Sequence, residues 1–509
     1  MLARLYSVTL EGIDAVICEV EVDVSRGGFE KPTIVGLPDT AVKESIERVR
    51  SAIFNSGYKY PDTQSLINLA PADVKKAGPA FDLPIALGML CCSGALQPDS
   101  LKRSLVVGEL ALDGRVRRVN GVLSMAMAAA ENGFSSIVVP LENAREAAVV
   151  QNIDVYGVAS LSQAVGCLSG ELPLETTTVD IDELFNVAGV YDVDFADVKG
   201  QETVKRALTI AAAGGHNVMM IGPPGAGKTM LAERMATILP PLTLHESLET
   251  TRIYSSVGLL EKNTALIATR PVRAPHHTAS GPALIGGGTN PRPGELSLAH
   301  HGILFLDEFA EFPRHILEMI RQPLEDGAAT VSRAKGTITF PAQFILIAAM
   351  NPCPCGYFGS GQRKCKCSPR QIERYIAKVS GPLMDRLDIH IDVPPVAFRK
   401  LRSRAEQTAS ARIREQIIHV RETQTRRFGD GKVMTNARMT HKQVEAHCRL
   451  DEPGEQLLKQ AMSEFALSAR AHDKICKVAR TIADLEDAAD IRAEHIAEAI
   501  SYRKLDRKL

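Results

Sequence analysis

The residues Ile221-Gly222-Pro223-Pro224-Gly225-Ala226-Gly227-Lys228-Thr229 match the G-x-x-x-x-G-K-T pattern of a phosphate-binding loop. They lie between Asn217 to Ile221, an apolar run that reads as a buried strand, and Met230 to Ile238, which reads as a helix. Glycine at such a turn lets backbone N–H groups approach phosphate oxygens that a side chain would hold off. Lys228 can extend to the β and γ phosphates, and the Thr229 hydroxyl can ligate the magnesium ion that bridges them. The pattern therefore predicts a nucleoside-triphosphate site made of Gly222, Pro223, Pro224, Gly225, Ala226, Gly227, Lys228 and Thr229, with Mg2+ bridging the phosphates.

Hydrolysis needs a metal ligand and a base from elsewhere in the chain. Gly302-Ile303-Leu304-Phe305-Leu306-Asp307-Glu308 is an apolar strand pattern ending in two carboxylates, Asp307 to hold the magnesium and Glu308 to polarise the attacking water. The motif is weak alone, since many buried strands end in an acid; the phosphate loop upstream gives it a mechanical partner. The next apolar run, Gln343 to Ala349, leads to Asn351, which either orients water or touches the γ-phosphate, or else begins a turn. In Met384-Asp385-Arg386-Leu387-Asp388, Arg386 reads as an arginine finger for a neighbouring subunit's nucleotide; the alternative is an internal ion pair with Asp385 or Asp388. Placement in trans implies a ring of identical subunits. Ser468-Ala469-Arg470 opens a helix that also carries Arg480, and either arginine can reach the γ-phosphate from a helical lid, with Arg470 preferred.

Further groups fall in loops. Cys353-Pro354-Cys355 and Cys365-Lys366-Cys367 offer four thiolates suited to tetrahedral zinc, although the C-x-C spacing is tighter than usual; reduced, unliganded cysteines are the alternative. Ala329 to Phe340 reads as a hairpin with Arg333 and Lys335 near Gly336, cations that either contact phosphate or sit in a solvated turn. His276, His277, His300 and His301 suit polar loop or packing roles better than metal binding. Beyond Pro394-Pro395 the chain is helical and basic, with Arg399, Lys400, Arg402, Arg404, Arg412, Arg414, Arg421, Arg426 and Arg427 among acids; a solvated face, phosphate contact and subunit contact all fit.

Positioning these groups takes several cores, because 509 residues exceed one domain. No apolar run reaches the ~18 residues of a membrane span, and Glu11 and Asp14 interrupt any signal-peptide core after Arg4, so the expected location is cytoplasmic. With a net charge of −1, nucleic-acid binding has to come from a local basic surface. The ten cysteines, with no signal peptide, argue against a disulfide framework. Near the amino terminus, Cys18 to Val24 alternates as a half-buried strand, Asp39 caps a helix carrying Val42, Ile46, Val49 and Ile53, and Gly57 ends it. Phe81 to Cys92 and Val122 to Glu131 read as helices, Ser104 to Leu112 and Ser136 to Val139 as strands, which makes a mixed α/β domain. The expected layout is an amino-terminal domain over 1–175, a linker over 176–192, an α/β nucleotide domain over 193–395 with a cysteine-rich insertion at 353–367, and a helical lid over 396–509.

Several stretches resemble known families. Lys76-Ala77-Gly78-Pro79-Ala80-Phe81-Asp82 and Gly108 to Val116 resemble the proteolytic domain of the Lon family, but Ala80 and Leu123 stand where that family has its nucleophilic serine and its lysine. The resemblance thus implies an α+β scaffold without peptidase chemistry, with Ser124 and Lys76 the only substitutes in view. Asp194 to Gln201 and the alanine-rich helix after it resemble the leading helix of AAA+ ATPases. Arg273 to Ser280, Gly286-Gly287-Gly288, Pro291 to His301 and the Ala329 to Phe340 hairpin resemble the magnesium-chelatase-like branch of that class, and over nearly the whole chain the sequence resembles the ComM/YifB family. That resemblance implies a hexameric, ATP-driven DNA helicase that assists branch migration on single-stranded, forked or branched DNA during natural transformation. A chelatase-type or chaperone-like ATPase remodelling a protein partner shares the same nucleotide site and is the alternative.

Overall fold

The computed structural model describes residues 1–25, 32–61, 64–187, 191–288, 290–333, 336–361, 363–396, 408–429, 434–465 and 467–503. It divides into two compact units, one formed by Met1–Ala188, Thr243–Ala268 and Asn290–Pro293, the other by Gly189–Leu242, Thr269–Thr289 and Gly294–Leu509.

The second unit is built on a five-stranded parallel sheet in the order Val272–Arg273, Ile303–Leu306, Ile345–Met350, Val218–Ile221, Ile389–Asp392. The inner strands read Ile-Leu-Phe-Leu, Ile-Leu-Ile-Ala-Ala-Met and Val-Met-Met-Ile without polar alternation. Such continuous runs are what a sheet covered on both faces demands. Because the strands are parallel, their carboxyl ends share one edge, where α/β sheets bind ligands. The Ile345–Met350 strand lies between Val218–Ile221, which feeds the phosphate loop, and Ile303–Leu306, which ends at Asp307. Helices Glu202–Gly214 and Lys228–Ile238 belong to the core around the sheet, and after the last strand the described residues form helices Ser410–Phe428, His441–His447, Glu452–Glu464, Ala469–Leu485 and Ala493–Ser501.

The basic helix resolves into internal ties. Arg414 Nε donates to the Thr237 carbonyl (2.8 Å), Arg421 Nη2 to Ala212 (2.7 Å), and Arg427 pairs with Asp484 (2.5 Å). These three sit near heptad spacing, so they share the face turned to the neighbouring helices; Arg412 and Arg426 are exposed. Arg399, Lys400, Arg402 and Arg404 lie outside the described residues.

The first unit holds a seven-stranded mixed sheet in the order Thr33–Val35, Gln64–Ala70, Asp14–Ser25, Leu2–Glu11, Ser104–Val106, Ser136–Pro140, Asp154–Val158. Cys18, Val20 and Val22 are fully buried at alternate positions, as the pattern predicts. Helix Thr40–Asn55 starts where Asp39 accepts the Val42 N–H at 2.8 Å, and further helices run over Asp82–Cys92 and Val122–Glu131. The expected single strand from Ser104 to Leu112 is broken. Ser104–Val106 joins the main sheet, while Glu109–Leu110 pairs with Val116–Arg117. The break falls beside Gly108, where a Cβ would sit 2.9 Å from Val116 Cγ1 and 3.1 Å from Leu83 Cδ2. Ile181–Val187, in the segment expected to link the domains, is a helix.

Helix Leu244–Ser256 follows the phosphate-loop helix in sequence but packs within the first unit. Ser255 Oγ and its carbonyl both receive the Gly121 N–H (2.9 and 3.1 Å), and Arg252 Nη2 pairs with Asp14 (2.7 Å). The two substitutes in view for the missing peptidase residues are committed to structure. Ser124 Oγ donates to Ile13 O (2.7 Å) and accepts from Arg252 Nε (3.2 Å), while the wholly buried Lys76 donates to the Pro71 carbonyl. Ala80 and Leu123 are buried.

Candidate functional site

The phosphate loop leaves its strand at Gly222, whose N–H donates to the Met350 carbonyl (3.2 Å). A Cβ at Gly222 would lie 2.4 Å from the Val393 carbonyl oxygen, so no larger residue fits there. Gly227 caps the following helix in the left-handed region (φ 86°), a conformation costly for any residue with a Cβ. From behind, the buried Gln201 side chain donates to Ala226 O (2.9 Å) and Pro394 O (2.7 Å). No sequence pattern assigns it that role, because its two acceptors are backbone carbonyls far apart in the chain.

Lys228 is buried, and its ammonium has three acceptors: Gly222 O at 2.8 Å, Pro223 O at 3.2 Å and Asn351 Oδ1 at 3.1 Å. Burial lowers its pKa, opposed by the nearby charges of Asp307 and Glu308. Phosphate oxygens arriving at this loop exchange for the carbonyls and restore the stabilisation of the charge. With Oδ1 turned to the ammonium, the Asn351 amide nitrogen is the end available for a phosphate oxygen or a water molecule.

Thr229 Oγ1 lies 3.0 Å from Asp307 Oδ2, so the two expected magnesium ligands already converge. The residues fit the ion: a hydroxyl and a carboxylate, with room for water, are what magnesium takes beside phosphate. Glu308 follows in the left-handed region (φ 49°), its N–H donating to Asp307 Oδ1 at 2.8 Å. This sharp turn at the strand end sends two adjacent carboxylates in different directions. Non-glycine residues held in such a conformation cost about 1–3 kcal/mol and concentrate at functional sites. His277 Nδ1 stands 3.1 Å from Glu308 Oε2, stacked on His276 (4.1 Å between centroids) and edge-on to Phe312 (6.3 Å). His277 thus faces the Glu308 carboxylate. Sequence reading placed it in a polar loop but had no signal for this partner. His300 is buried and accepts the Gln343 N–H at Nδ1 (3.0 Å). No group of metal-ligating atoms among the described residues joins His276 and His277 to His300 and His301.

Arg386 pairs with neither Asp385 nor Asp388. Its Nη2 is 2.5 Å from Glu325 Oε1 and its Nη1 2.6 Å from the Pro382 carbonyl. Asp388 turns inward to Lys474 (2.5 Å) and accepts the Asn217 N–H (2.9 Å). Burial alone would raise the Asp388 pKa, but the charge of Lys474 overrides it and holds the carboxyl far below the usual range. Lys474 lies one turn after Arg470 on helix Ala469–Leu485, so this pair ties the Arg386 segment to the helix that carries Arg470. Arg470 is exposed at the start of that helix. Arg480 is buried, bonded to Asp484 (3.0 Å) and to the carbonyls of Ala489 (2.7 Å) and Ala488 (2.5 Å).

The four thiols of the insertion come together. Cys353 Sγ lies 3.4 Å from Cys355 Sγ and 3.7 Å from Cys365 Sγ, Cys355 and Cys365 are 3.5 Å apart, and all four sulfurs fall within 4.8 Å of one another. Backbone N–H groups of Tyr357 and Lys366 bring the Cys355 thiol down to about 6. The Ala328–Arg333 and Gly336–Pro341 strands form an antiparallel hairpin, with hydroxyl pairs Thr330–Thr339 and Ser332–Thr337 at 3.2 Å on its exposed face. Arg333 is exposed at its end; Lys335 lies outside the described residues.

A phosphate loop, a carboxylate pair one strand removed and an asparagine on the strand between them define an AAA+ ATPase site taking ATP and Mg2+. Three family descriptions match in succession: "Subunit ChlI of Mg-chelatase" over residues 20–143, "Magnesium chelatase, subunit ChlI" over 194–401, and "Magnesium chelatase, subunit ChlI C-terminal" over 407–503. Competence protein ComM of Haemophilus influenzae is 44% identical over 100% of this chain and 98% of its own length. The uncharacterized protein YifB of Salmonella typhimurium is 42% identical over the same shares. The magnesium-chelatase 38 kDa subunit of Rhodobacter capsulatus is 27% identical over 31% of this chain and 50% of that protein. The chain belongs to the ComM/YifB family of magnesium-chelatase-like proteins. No helix among the described residues is long and apolar enough to cross a membrane.

Proposed function

We propose that this protein is a ring-forming, ATP-driven DNA motor, a helicase that moves branch points when incoming DNA is recombined during natural transformation. The observation that carries this reading is the end-to-end similarity to a competence protein. Glu308 serves as the base for the attacking water, Asn351 orients the γ-phosphate, Asp307 and Thr229 hold magnesium, and Lys228 neutralises phosphate charge. Arg386 acts on a neighbouring subunit's nucleotide and Arg470 senses it from the lid; Arg480, already saturated with partners, is a structural residue. The amino-terminal unit is a Lon-like scaffold without peptidase activity. The cysteine insertion holds structural zinc: a tetrahedral tetrathiolate has sulfur–sulfur edges of about 3.8 Å, close to the spacings found here. The matches to chelatase subunits favour, as a second reading, an ATPase that remodels a protein partner.

The hairpin is the proposed DNA-engaging element. It lies in sequence between the strand ending at Asp307 and the strand ending at Asn351, so changes at either strand end have a short mechanical route to its tip. Contacts from Arg333 and Lys335 would go to phosphate and be indifferent to base sequence. In the double variant Arg333→Ala, Lys335→Ala, basal ATPase should persist while strand displacement on forked DNA falls. The salt dependence of binding should flatten by roughly 0.7 to 0.9 logarithmic units per decade for each lost contact. Displacement and salt slope both at wild-type values would remove the hairpin from this role.

A further inference from the structure

We infer that the four-cysteine knot braces the phosphate loop, so that metal held by Cys353, Cys355, Cys365 and Cys367 sets the affinity for nucleotide. The inference rests on the metal-binding reading above.

Cys353, wholly buried, follows Asn351 by two residues, and Asn351 Oδ1 accepts from the Lys228 ammonium at 3.1 Å. The chain then turns, with Gly356 N–H bonded to the Cys353 carbonyl at 2.9 Å. This turn presses on the nucleotide loop itself. A Cβ at Gly356 would sit 2.6 Å from Cδ and 2.7 Å from Cγ of Pro224, and 3.8 Å from Asn351 Cγ. Pro224 lies in the middle of the phosphate loop, so the backbone just after Cys355 is packed against the loop that must present its N–H groups to phosphate.

Among the described residues of the insertion the thiols are the main packing feature, joined by Arg363 over the Tyr357 ring at 5.5 Å. Among its described residues it forms neither helix nor strand, and Phe358, its largest apolar side chain, is half exposed. Segments this small, lacking apolar burial, depend on a metal or cross-link to hold one conformation. Cys367 leads directly into Ser368, which caps helix Pro369–Ile376 through the Gln371 N–H, so the far end of the knot is anchored. One end is thus fixed to the Asn351 strand and the other to a capped helix. The thiol cluster closes the span between them, and Gly356 bears on Pro224 from within it. Loss of the cluster frees that turn and lets the phosphate loop relax from its binding geometry.

The test compares two lesions. Cys365→Ser should lose the metal, measured by 4-(2-pyridylazo)resorcinol release, and should weaken binding of a fluorescent ADP analogue in excess Mg2+ by about tenfold or more, as expected for misplacing a binding group by a fraction of an ångström. Gly356→Ala keeps all four thiols but forces Pro224 to move and, at φ 82°, adds backbone strain in the turn itself. It should retain zinc at wild-type stoichiometry, show a cooperative melt near that of the wild type, and still lose nucleotide affinity. Wild-type protein purified without chelator and carrying under half an equivalent of zinc would defeat the metal reading itself. Zinc present in the wild type and absent from Cys365→Ser, with nucleotide affinity equal in the two, would overturn the brace while leaving the metal site intact. A Gly356→Ala chain that fails to melt cooperatively shifts the decision to Cys365→Ser and to Cys367→Ser, read by the same two assays.

Discussion

Lys228→Ala is expected to abolish nucleotide binding, whereas Glu308→Gln should bind ATP at near wild-type affinity and hold it unhydrolysed. The lysine supplies the positive charge that meets the phosphates, and it also gathers Gly222 O, Pro223 O and Asn351 Oδ1 onto one ammonium. Its loss removes the charge and leaves those acceptors without their common donor. Glutamine keeps the shape of Glu308 but cannot accept a proton from water, a role worth roughly 10²–10⁴-fold in rate. Equilibrium binding of a fluorescent ATP analogue and steady-state phosphate release separate the two lesions. Near-normal turnover by Glu308→Gln would remove Glu308 from the base's role.

Arg386→Ala should leave binding intact and lower turnover by about a thousandfold or more, the range seen when an arginine that neutralises transition-state charge is lost. Arg386 is tethered to Glu325 at 2.5 Å within its own chain, so reaching a neighbour's nucleotide requires that pair to open. Glu325 is half exposed while Arg386 is only 12% exposed, so water can solvate the released carboxylate when the guanidinium exchanges it for a phosphate contact. Glu325→Gln should therefore not reduce turnover. Rings mixing Arg386→Ala chains with Glu308→Gln chains contain interfaces where an intact Glu308 meets an intact Arg386, and these should recover activity that neither variant has alone. Mixed rings as inactive as their parents would confine Arg386 to an internal structural pair.

Legibility in the sequence followed locality. The phosphate loop is contiguous, so its residue types carry the geometry directly, and Asp307 and Glu308 are readable because that loop upstream gives an acid-ended apolar strand a partner at the same sheet edge. Helix starts at Asp39 and Val122 were equally local. What escaped depends on residues distant in the chain. The obvious partners of Arg386 were its neighbours Asp385 and Asp388, but Asp388 is drawn inward by Lys474, which leaves Glu325 to pair with the arginine. Arg414, Arg421 and Arg427 looked like a charged outer face, and only the positions of Thr237, Ala212 and Asp484 reveal them as internal ties. Helix Leu244–Ser256 carries nothing in its own composition to say that Asp14, Gly121 and Ser124 will meet it. The break after Val106 depends on Leu83 and Val116 crowding Gly108, which a period of two along one segment does not contain.

The claim that the polymer handled by this ATPase is DNA is tested most directly by its effect on turnover. ATPase rates of the full-length protein should be measured with single-stranded, forked and four-way DNA and, separately, with an unfolded protein, using Glu308→Gln as the zero. The account predicts stimulation by DNA, greatest for the forked or four-way forms, and none by unfolded protein. Stimulation by the unfolded protein with no response to any DNA would contradict it and leave a protein-remodelling ATPase.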